Sequence, residues 1–343
     1  MLRPARPAQR HGHYDKGRMH SMRESRISIV NARTRPHERE EPAEIMSRAR
    51  ERIDKVSRDR PDLILLSELF ANHPDKQDRA SAAAVAQTVP GPISEELSAL
   101  ARKHSTYIAF GLLRKDGDKL SNSLVLIDRE GSHVWTYDKV TPMVQEMEDL
   151  GITPGQPAWF DCGFARVGAA ICFDINYLEL AEIYFRQEIE LLLFASAFPA
   201  GRLLDHWAVR YGFAVAGSTW YDRNRIIDCT GATVARTSDI LPFTTAVMNL
   251  NRRVVHMDGN LDKLDRLRSQ YKGDVLIEDM RDEATCAITS LKAGLEVSKL
   301  IREFEIETLP AYFDRSRSVR EKHGGLPSST AHCTLHTPLR GRA

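Results

Sequence analysis

The feature that most constrains this chain is a pair of short, wholly apolar runs set among helical patterns. Leu63–Leu66 and Leu191–Phe194 contain no polar residue. Runs this short suit strands covered on both faces. Helix-period patterns stand near each. Pro42 opens one, with Ile45, Ala49, Ile53 and Val56 on one face, and Leu97, Leu100, Ala101 and His104 mark another. Leu178–Phe185 and Leu203–Tyr211 read as two more helices. Ile27–Val30, Tyr107–Leu113, Ser123–Ile127, Val134–Tyr137, Ala214–Ser218 and Thr245–Leu250 read as further strands. Asp116-Gly117-Asp118 and Glu130-Gly131 are turn signals, and a hairpin around Trp159 and Val167 turns at Cys162-Gly163. Strands alternating with helices indicate an α/β layered fold. The hairpins mean that its sheet is not purely parallel.

Several function classes drop out on composition. Lys plus Arg total 48 against 47 for Asp plus Glu, so the basic excess that broad phosphate binding needs is absent. No nucleic-acid partner is expected. No apolar run approaches a membrane span, and no apolar signal core stands near Met1, so a cytoplasmic protein without a membrane partner is expected. The five cysteines, Cys162, Cys172, Cys229, Cys286 and Cys333, are scattered and form no CxxC, so neither a zinc site nor a disulfide framework is expected. Residues 1–25 are Arg- and His-rich without apolar periodicity and read as a disordered extension, with Met19 and Met22 as candidate later starts. Residues 26–254 read as the main domain. Residues 255–313, with helix-like Leu261–Tyr271 and Leu295–Phe304 around strand-like Val275–Ile277 and Cys286–Leu291, read as an extension of it. Residues 314–343 read as a disordered tail.

Catalytic side chains tend to lie where strands end, on loops held by a rigid sheet. Three residues stand at such places: Glu68 after Leu63–Leu66, Lys139 after Val134–Tyr137, and Cys172 after Val167–Ile171. Each has a plain structural reading too: a first solvated carboxylate, a surface lysine, a core cysteine. Together they supply a base, a cation and a thiol, which acyl transfer requires. The turn at Cys172-Phe173-Asp174 would expose backbone N–H groups that lower a thiol pKa and hold an oxyanion, with Asp174 or Asn176 capping. Gly168, Ala169 and Ala170 leave room for other backbone to come close.

The same residues lie in blocks that resemble the nitrilase superfamily of carbon–nitrogen hydrolases. Pro61–Leu69 is similar to the glutamate block, with Ser67 where the family usually has Pro; Tyr137–Val140 is similar to the lysine block. Gly168–Asp174, continuing to Glu179-Leu180-Ala181, is similar to the cysteine block. Glu148, followed by Thr153-Pro154-Gly155, matches the segment that carries a second active-site glutamate in the family. The resemblance runs from Arg26 to Leu250 and implies a four-layer α-β-β-α sandwich that associates as a homodimer or larger homo-oligomer, with residues 255–313 at the interface. It implies Glu68 as base, Cys172 as nucleophile, Lys139 and the Phe173 backbone N–H as oxyanion donors, and Glu148 orienting Lys139. No cofactor or metal is implied.

The substrate implied is a small-molecule amide or N-carbamoyl compound, opened through a Cys thioester. True nitrilases carry Trp-Glu after the cysteine, where this chain has Phe173-Asp174, and carbamoylases carry two arginines where Ile175 and Asn176 stand. Asn176, Ala197 and Phe198 are candidate pocket residues. Trp220 and Tyr221 follow a strand and read equally as pocket or packing; His206 reads as structural or surface. A catalytically silent scaffold, a nitrilase proper and a Cys–His hydrolase remain alternatives at this level.

Overall fold

The structure, a computed structural model, describes residues 24–33 and 40–326. The extension expected over residues 1–25 lies outside them up to residue 23, as do Cys333 and most of the expected tail; Glu24 and Ser25, expected to be disordered, instead open a strand that pairs with Asn249 and Met248. The first half runs β1 (Glu24–Val30), α1 (Pro42–Val56), β2 (Leu63–Leu65), α2 (Arg79–Val85), α3 (Pro92–His104), β3 (Tyr107–Asp116), β4 (Lys119–Ile127), β5 (His133–Asp138) and α4 (Val144–Glu148). The second runs β6 (Trp159–Asp161), β7 (Arg166–Ile171), α5 (Leu178–Arg186), β8 (Leu191–Ser196), α6 (Arg202–Tyr211), β9 (Ala214–Thr219), β10 (Arg225–Ile227), β11 (Thr233–Arg236) and β12 (Phe243–Asn249). Then come β13 (Arg252–His256), α7 (Leu261–Tyr271), β14 (Val275–Met280), β15 (Thr285–Ser290), α8 (Val297–Glu303) and α9 (Leu309–Lys322).

Two six-stranded sheets form, ordered β12-β1-β2-β3-β4-β5 and β11-β10-β9-β8-β7-β6. Each has a parallel centre, β1-β2-β3 and β7-β8-β9, with antiparallel strands outside it. Helices supply the parallel crossovers, as such connections require. The apolar runs are explained by which way alternate side chains point. Ile27, Ile29, Leu63 and Leu65 join Val167, Ala169 and Leu191 between the sheets. Val30, Ile64 and Leu66 face outward and pack under α1 and α3 through Ile45, Ile53 and Leu97. Helices α5 and α6 cover the other sheet with Leu180, Tyr184, Leu204 and Trp207. The layers are therefore helix, sheet, sheet, helix. Fully burying each such side chain stabilises the fold by about 1.5–3 kcal/mol. The space at Gly168 is filled by the Ile189 and Tyr184 side chains, 2.8 and 3.3 Å from where a Cβ would stand, and not by backbone.

Residues beyond β12 build a third sheet, ordered β13-β15-β14. It has its own core of Val255, Leu264, Leu267, Ile288, Leu300 and Phe304. Arg253 ties it to the sandwich, donating to Glu190 at 3.1 and 3.2 Å. The tail expected from residue 314 is helical as far as Lys322. Thr308 and Pro310 start α9, Phe313 packs on Phe185 at 6.3 Å, and Arg186 grips Asp314 at 2.6 and 2.8 Å. These anchors lie far away in sequence, where periodicity has no reach. Among the described residues no helix is long and apolar enough to cross a membrane.

Candidate active site

The carboxyl ends of the parallel strands of both sheets meet at one place, and Glu68 and Cys172 stand there on turns that follow buried strands. The chain leaves β2 through buried Leu66 and Ser67 and reaches Glu68, only 4% exposed. Gly111 of β3 lets this turn lie flat on the sheet. A Cβ there would stand 2.4 Å from the Glu68 Cα and 2.5 Å from the Ser67 carbonyl oxygen. On the other side the Trp220 indole N–H donates to the Glu68 carbonyl at 2.6 Å. The Glu68 backbone is thus clamped between β3 and the segment after β9.

Lys139 directly follows β5 and is 1% exposed. Its own N–H donates to the Asn122 carbonyl at 2.8 Å, and its carbonyl accepts from Gly155 N–H at 2.8 Å. The ammonium donates to Glu68 Oε1 at 3.1 Å and to Glu146 Oε2 at 2.7 Å. An ammonium has three protons, so one is left for another acceptor. Burial alone would pull this lysine down, but Glu68, Glu146 and Cys172 outweigh it and hold the ammonium above the ordinary lysine range.

Cys172 follows β7 with φ of +46°, a left-handed backbone that costs an L-residue about 1–2 kcal/mol. It opens a short 3₁₀ turn over Cys172–Asn176. What holds it there is Asp174, fully buried. Its Oδ2 accepts from Ile171 N–H at 2.8 Å and from the Tyr137 hydroxyl at 2.7 Å. Its Oδ1 accepts from Thr141 N–H at 2.7 Å and from the Thr141 hydroxyl. One carboxylate thereby ties the cysteine turn to the segment carrying Lys139. It also answers the capping expectation: Asp174 caps backward onto Ile171.

The thiol receives a hydrogen bond interaction from Ser196 and feels Glu68, Lys139 and Glu146 electrostatically. Burial, then the Glu68 carboxylate, push its pKa up to about 12 against the opposing pull of Lys139 and Ser196. The lowered thiol pKa expected from the turn is therefore overturned. Desolvation and a neighbouring carboxylate outweigh the N–H groups, and the resting thiol is neutral.

The second glutamate differs from expectation. Glu148 is exposed at the end of α4, while Glu146 meets Lys139. Residues two apart on a helix point about 200° apart, so only one of the two can face inward. Glu146 wins because its Oε2 also accepts from Met143 N–H at 2.7 Å, the back-bond of a helix N-terminus. That position, three residues after Met143, was the readable signal. Asn176 is not brought into the cluster: it is exposed and donates to the Phe173 carbonyl at 3.0 Å. Phe173 is half-buried beside Tyr177, ring centroids 5.5 Å apart. Ala197 contributes backbone, its N–H donating to Glu68 Oε2 at 2.7 Å. Phe198 is exposed and 6.0 Å from the Tyr221 ring. His206 is exposed.

Asn122 was missed. Its amide donates to Glu68 Oε1 at 2.7 Å and to Glu146 Oε1 at 2.9 Å. The signal was Ser121-Asn122-Ser123, three buried polar residues between Leu120 and the apolar run Leu124–Ile127. Among the described residues no group of three or more His, Cys, Asp or Glu side chains is placed to hold a metal ion.

The carbon–nitrogen hydrolase family model matches residues 26–220, more than half of the chain. The chain belongs to the carbon–nitrogen hydrolases of the nitrilase superfamily. The match contains Glu68, Asn122, Lys139, Glu146 and Cys172. Omega-amidase NIT2 of Bos taurus is 33% identical over 135 residues, 36% of this chain and 48% of that protein. A nitrilase of Pyrococcus abyssi is 33% identical over 144 residues, 41% of this chain and 54% of that protein. The chain thus spans about half the length of the relatives it matches. An amidase of Nesterenkonia sp. superposes with a TM-score of 0.55 at 16% identity, over 74% of this chain and 98% of that one. A CN-hydrolase superfamily protein of Xanthomonas campestris gives 0.57 at 18%, over 72% and 95%. These likenesses show the sandwich fold.

Proposed function

We propose that this carbon–nitrogen hydrolase opens a linear amide or N-carbamoyl bond of a small molecule through a thioester on Cys172. The observation that carries the reading is the buried cluster in which Glu68, Lys139 and Glu146 all act on one neutral thiol. Glu68 takes the thiol proton as sulfur attacks the carbonyl carbon. The oxyanion is met by the third proton of Lys139 and by the Phe173 backbone N–H, each such donor being worth about 2.7–4 kcal/mol to the transition state. Glu68 returns the proton to the nitrogen, the C–N bond breaks, and ammonia or an amine leaves. Glu68 then takes a proton from water as its oxygen attacks the thioester. Collapse gives the carboxylic acid and restores the thiol.

Glu146 keeps Lys139 charged and aimed, the role expected of Glu148. A neutral resting thiol suits this scheme, because the proton moves only when a carbonyl is in place to be attacked. The reading includes a homodimer or larger assembly, supported by Leu178 and Leu203, which stand exposed at the starts of α5 and α6. It includes a reducing, cytoplasmic setting, supported by four free cysteines among the described residues. The test is ammonia release from a panel of aliphatic amides, ω-amides and N-carbamoyl compounds. Cys172→Ala abolishes release, and mass spectrometry of the wild type finds an acyl adduct on the peptide containing Cys172. Release that survives Cys172→Ala refutes the nucleophile; no release from any member refutes the activity.

A further inference from the structure

The carboxylate of Glu68 has two oxygens, and the structure treats them differently. Oε1 accepts from Lys139 at 3.1 Å and from Asn122 at 2.7 Å, which fills both of its lone pairs. Among the described residues Oε2 accepts from Ala197 N–H alone, at 2.7 Å, which leaves one lone pair. A shuttled proton needs an open lone pair, so Oε2 is where it lands. Resting on the hydrolytic reading above, we propose that Asn122 is the positioning residue that makes this division. By occupying Oε1 it fixes Oε2 as the oxygen that carries the proton between sulfur, leaving nitrogen and water.

The orientation of the Asn122 amide follows from its neighbours. Both are carboxylate oxygens, on Glu68 and Glu146, so the amide nitrogen must face them. The two N–H bonds are then used, one on each glutamate. The remaining Oδ1 is buried, and among the described residues it has no hydrogen-bond partner. The side chain thus forgoes an acceptor bond in order to place two donors between two carboxylates. Its backbone carbonyl meanwhile accepts from Lys139 N–H at 2.8 Å, so one residue sets the base, its helper glutamate and the lysine together.

Without those donors the two glutamates would share only Lys139. The charged and titratable groups facing Glu68 are Lys139 from β5, Glu146 from α4 and Cys172 after β7; His73 lies further back and is felt by Glu146. Removing a donor from a carboxylate favours its protonated form. It also opens a lone pair on Oε1 to the proton, so Oε2 is no longer the one oxygen with room for it.

The test compares Asn122→Ala, Asn122→Ser and Asn122→Asp in the full chain, with melting curves to confirm folding. Two readouts are followed: the pH profile of kcat on the best amide, and the pH profile of Cys172 alkylation by iodoacetamide, read by mass spectrometry without any substrate. In Asn122→Ala kcat falls about tenfold with KM within about twofold, and the acidic limb of both profiles moves up by about one pH unit. Asn122→Ser keeps one donor and lies between Ala and wild type. Asn122→Asp keeps the shape, loses the donors and adds a charge, so it moves further than Ala. A packing role would give the opposite order, with the isosteric Asp nearest to wild type. That order, or limbs that stay in place, overturns the proposal. If Asn122→Asp does not fold, the Ala–Ser comparison decides. If the wild type turns over no amide, the hydrolytic reading fails by itself, and the alkylation profiles still decide the role of Asn122.

Discussion

Gly111→Ala adds one methyl group in the middle of β3 and is expected to cost both activity and stability. The new Cβ would meet the Glu68 Cα at 2.4 Å, the Ser67 oxygen at 2.5 Å and the Leu69 nitrogen at 2.6 Å. Ordinary contact begins near 3.4 Å, and contacts under 3.0 Å are essentially never seen. The catalytic turn must therefore rise by about 0.6–1 Å, because all three atoms are backbone and none can rotate away. Upward movement is opposed by the Trp220 indole, which holds the Glu68 carbonyl at 2.6 Å. Overpacking of this kind costs about 1–3 kcal/mol, which lowers the melting temperature by several degrees. A kinetic cost of similar size accompanies it, since about 1 Å of misplacement at a reacting group can lose about a hundredfold in rate, or about 2.7 kcal/mol. The assay is kcat for ammonia release beside a thermal melt, with Gly273→Ala as control because nothing lies within 4 Å of its added Cβ. If Gly111→Ala folds with kcat within about twofold of wild type, the argument that this glycine seats Glu68 is wrong.

Other outcomes follow from the same geometry. Glu146→Gln lowers kcat by about one to two orders of magnitude, while Glu148→Gln stays within about twofold, and equal effects would return the second glutamate to Glu148. The neutral Cys172 thiol is read by ultraviolet thiolate absorbance, wild type minus Cys172→Ala: no difference near neutral pH, and a signal growing toward about 12. A thiolate already present at neutral pH refutes the raised value. The linked stability has a definite sign. A thiol raised in the folded state contributes fully below its unfolded value of 9.0 and loses that contribution as pH climbs toward about 12, so the gap between wild type and Cys172→Ala narrows only in that window. Asp174→Asn puts an amide nitrogen against donors that a carboxylate accepted, costs about 1–3 kcal/mol, and loosens the cysteine turn; unchanged kcat with an unchanged melt would count against that tie.

The sequence carried the layers and three of the strand-end residues for a physical reason. A strand buried on both faces shows as an unbroken apolar run, as at Leu63–Leu66, and a carboxylate, ammonium or thiol within two residues of a strand's end sits where the sheet lets go of the chain. That rule finds Glu68, Lys139 and Cys172 singly. It does not pick Asn122, which lies inside a strand, nor choose Glu146 over Glu148, because that choice depends on the rotation of a helix of five residues. Periodicity over so few positions is uninformative, whereas the back-bond from Met143 N–H is decisive once seen. Strands β10 and β11 and helices α2 and α4 escaped for the same reason of shortness.

The third sheet and α9 escaped differently, since they are held by pairings such as Arg253 with Glu190 and Arg186 with Asp314 across long separations. The site itself follows from direction. Strands β1, β2 and β3 run together in one sheet and β7, β8 and β9 in the other. The bond from Ala197, just past β8, to Glu68, just past β2, shows that the two carboxyl edges face one another. A carboxylate after one sheet and a thiol after the other can then meet without either strand bending. Two of the left-handed residues, Cys172 at φ of +46° and Leu69 at +40°, stand at these turns, which are held by hydrogen bonds that Asp174 accepts and Trp220 donates.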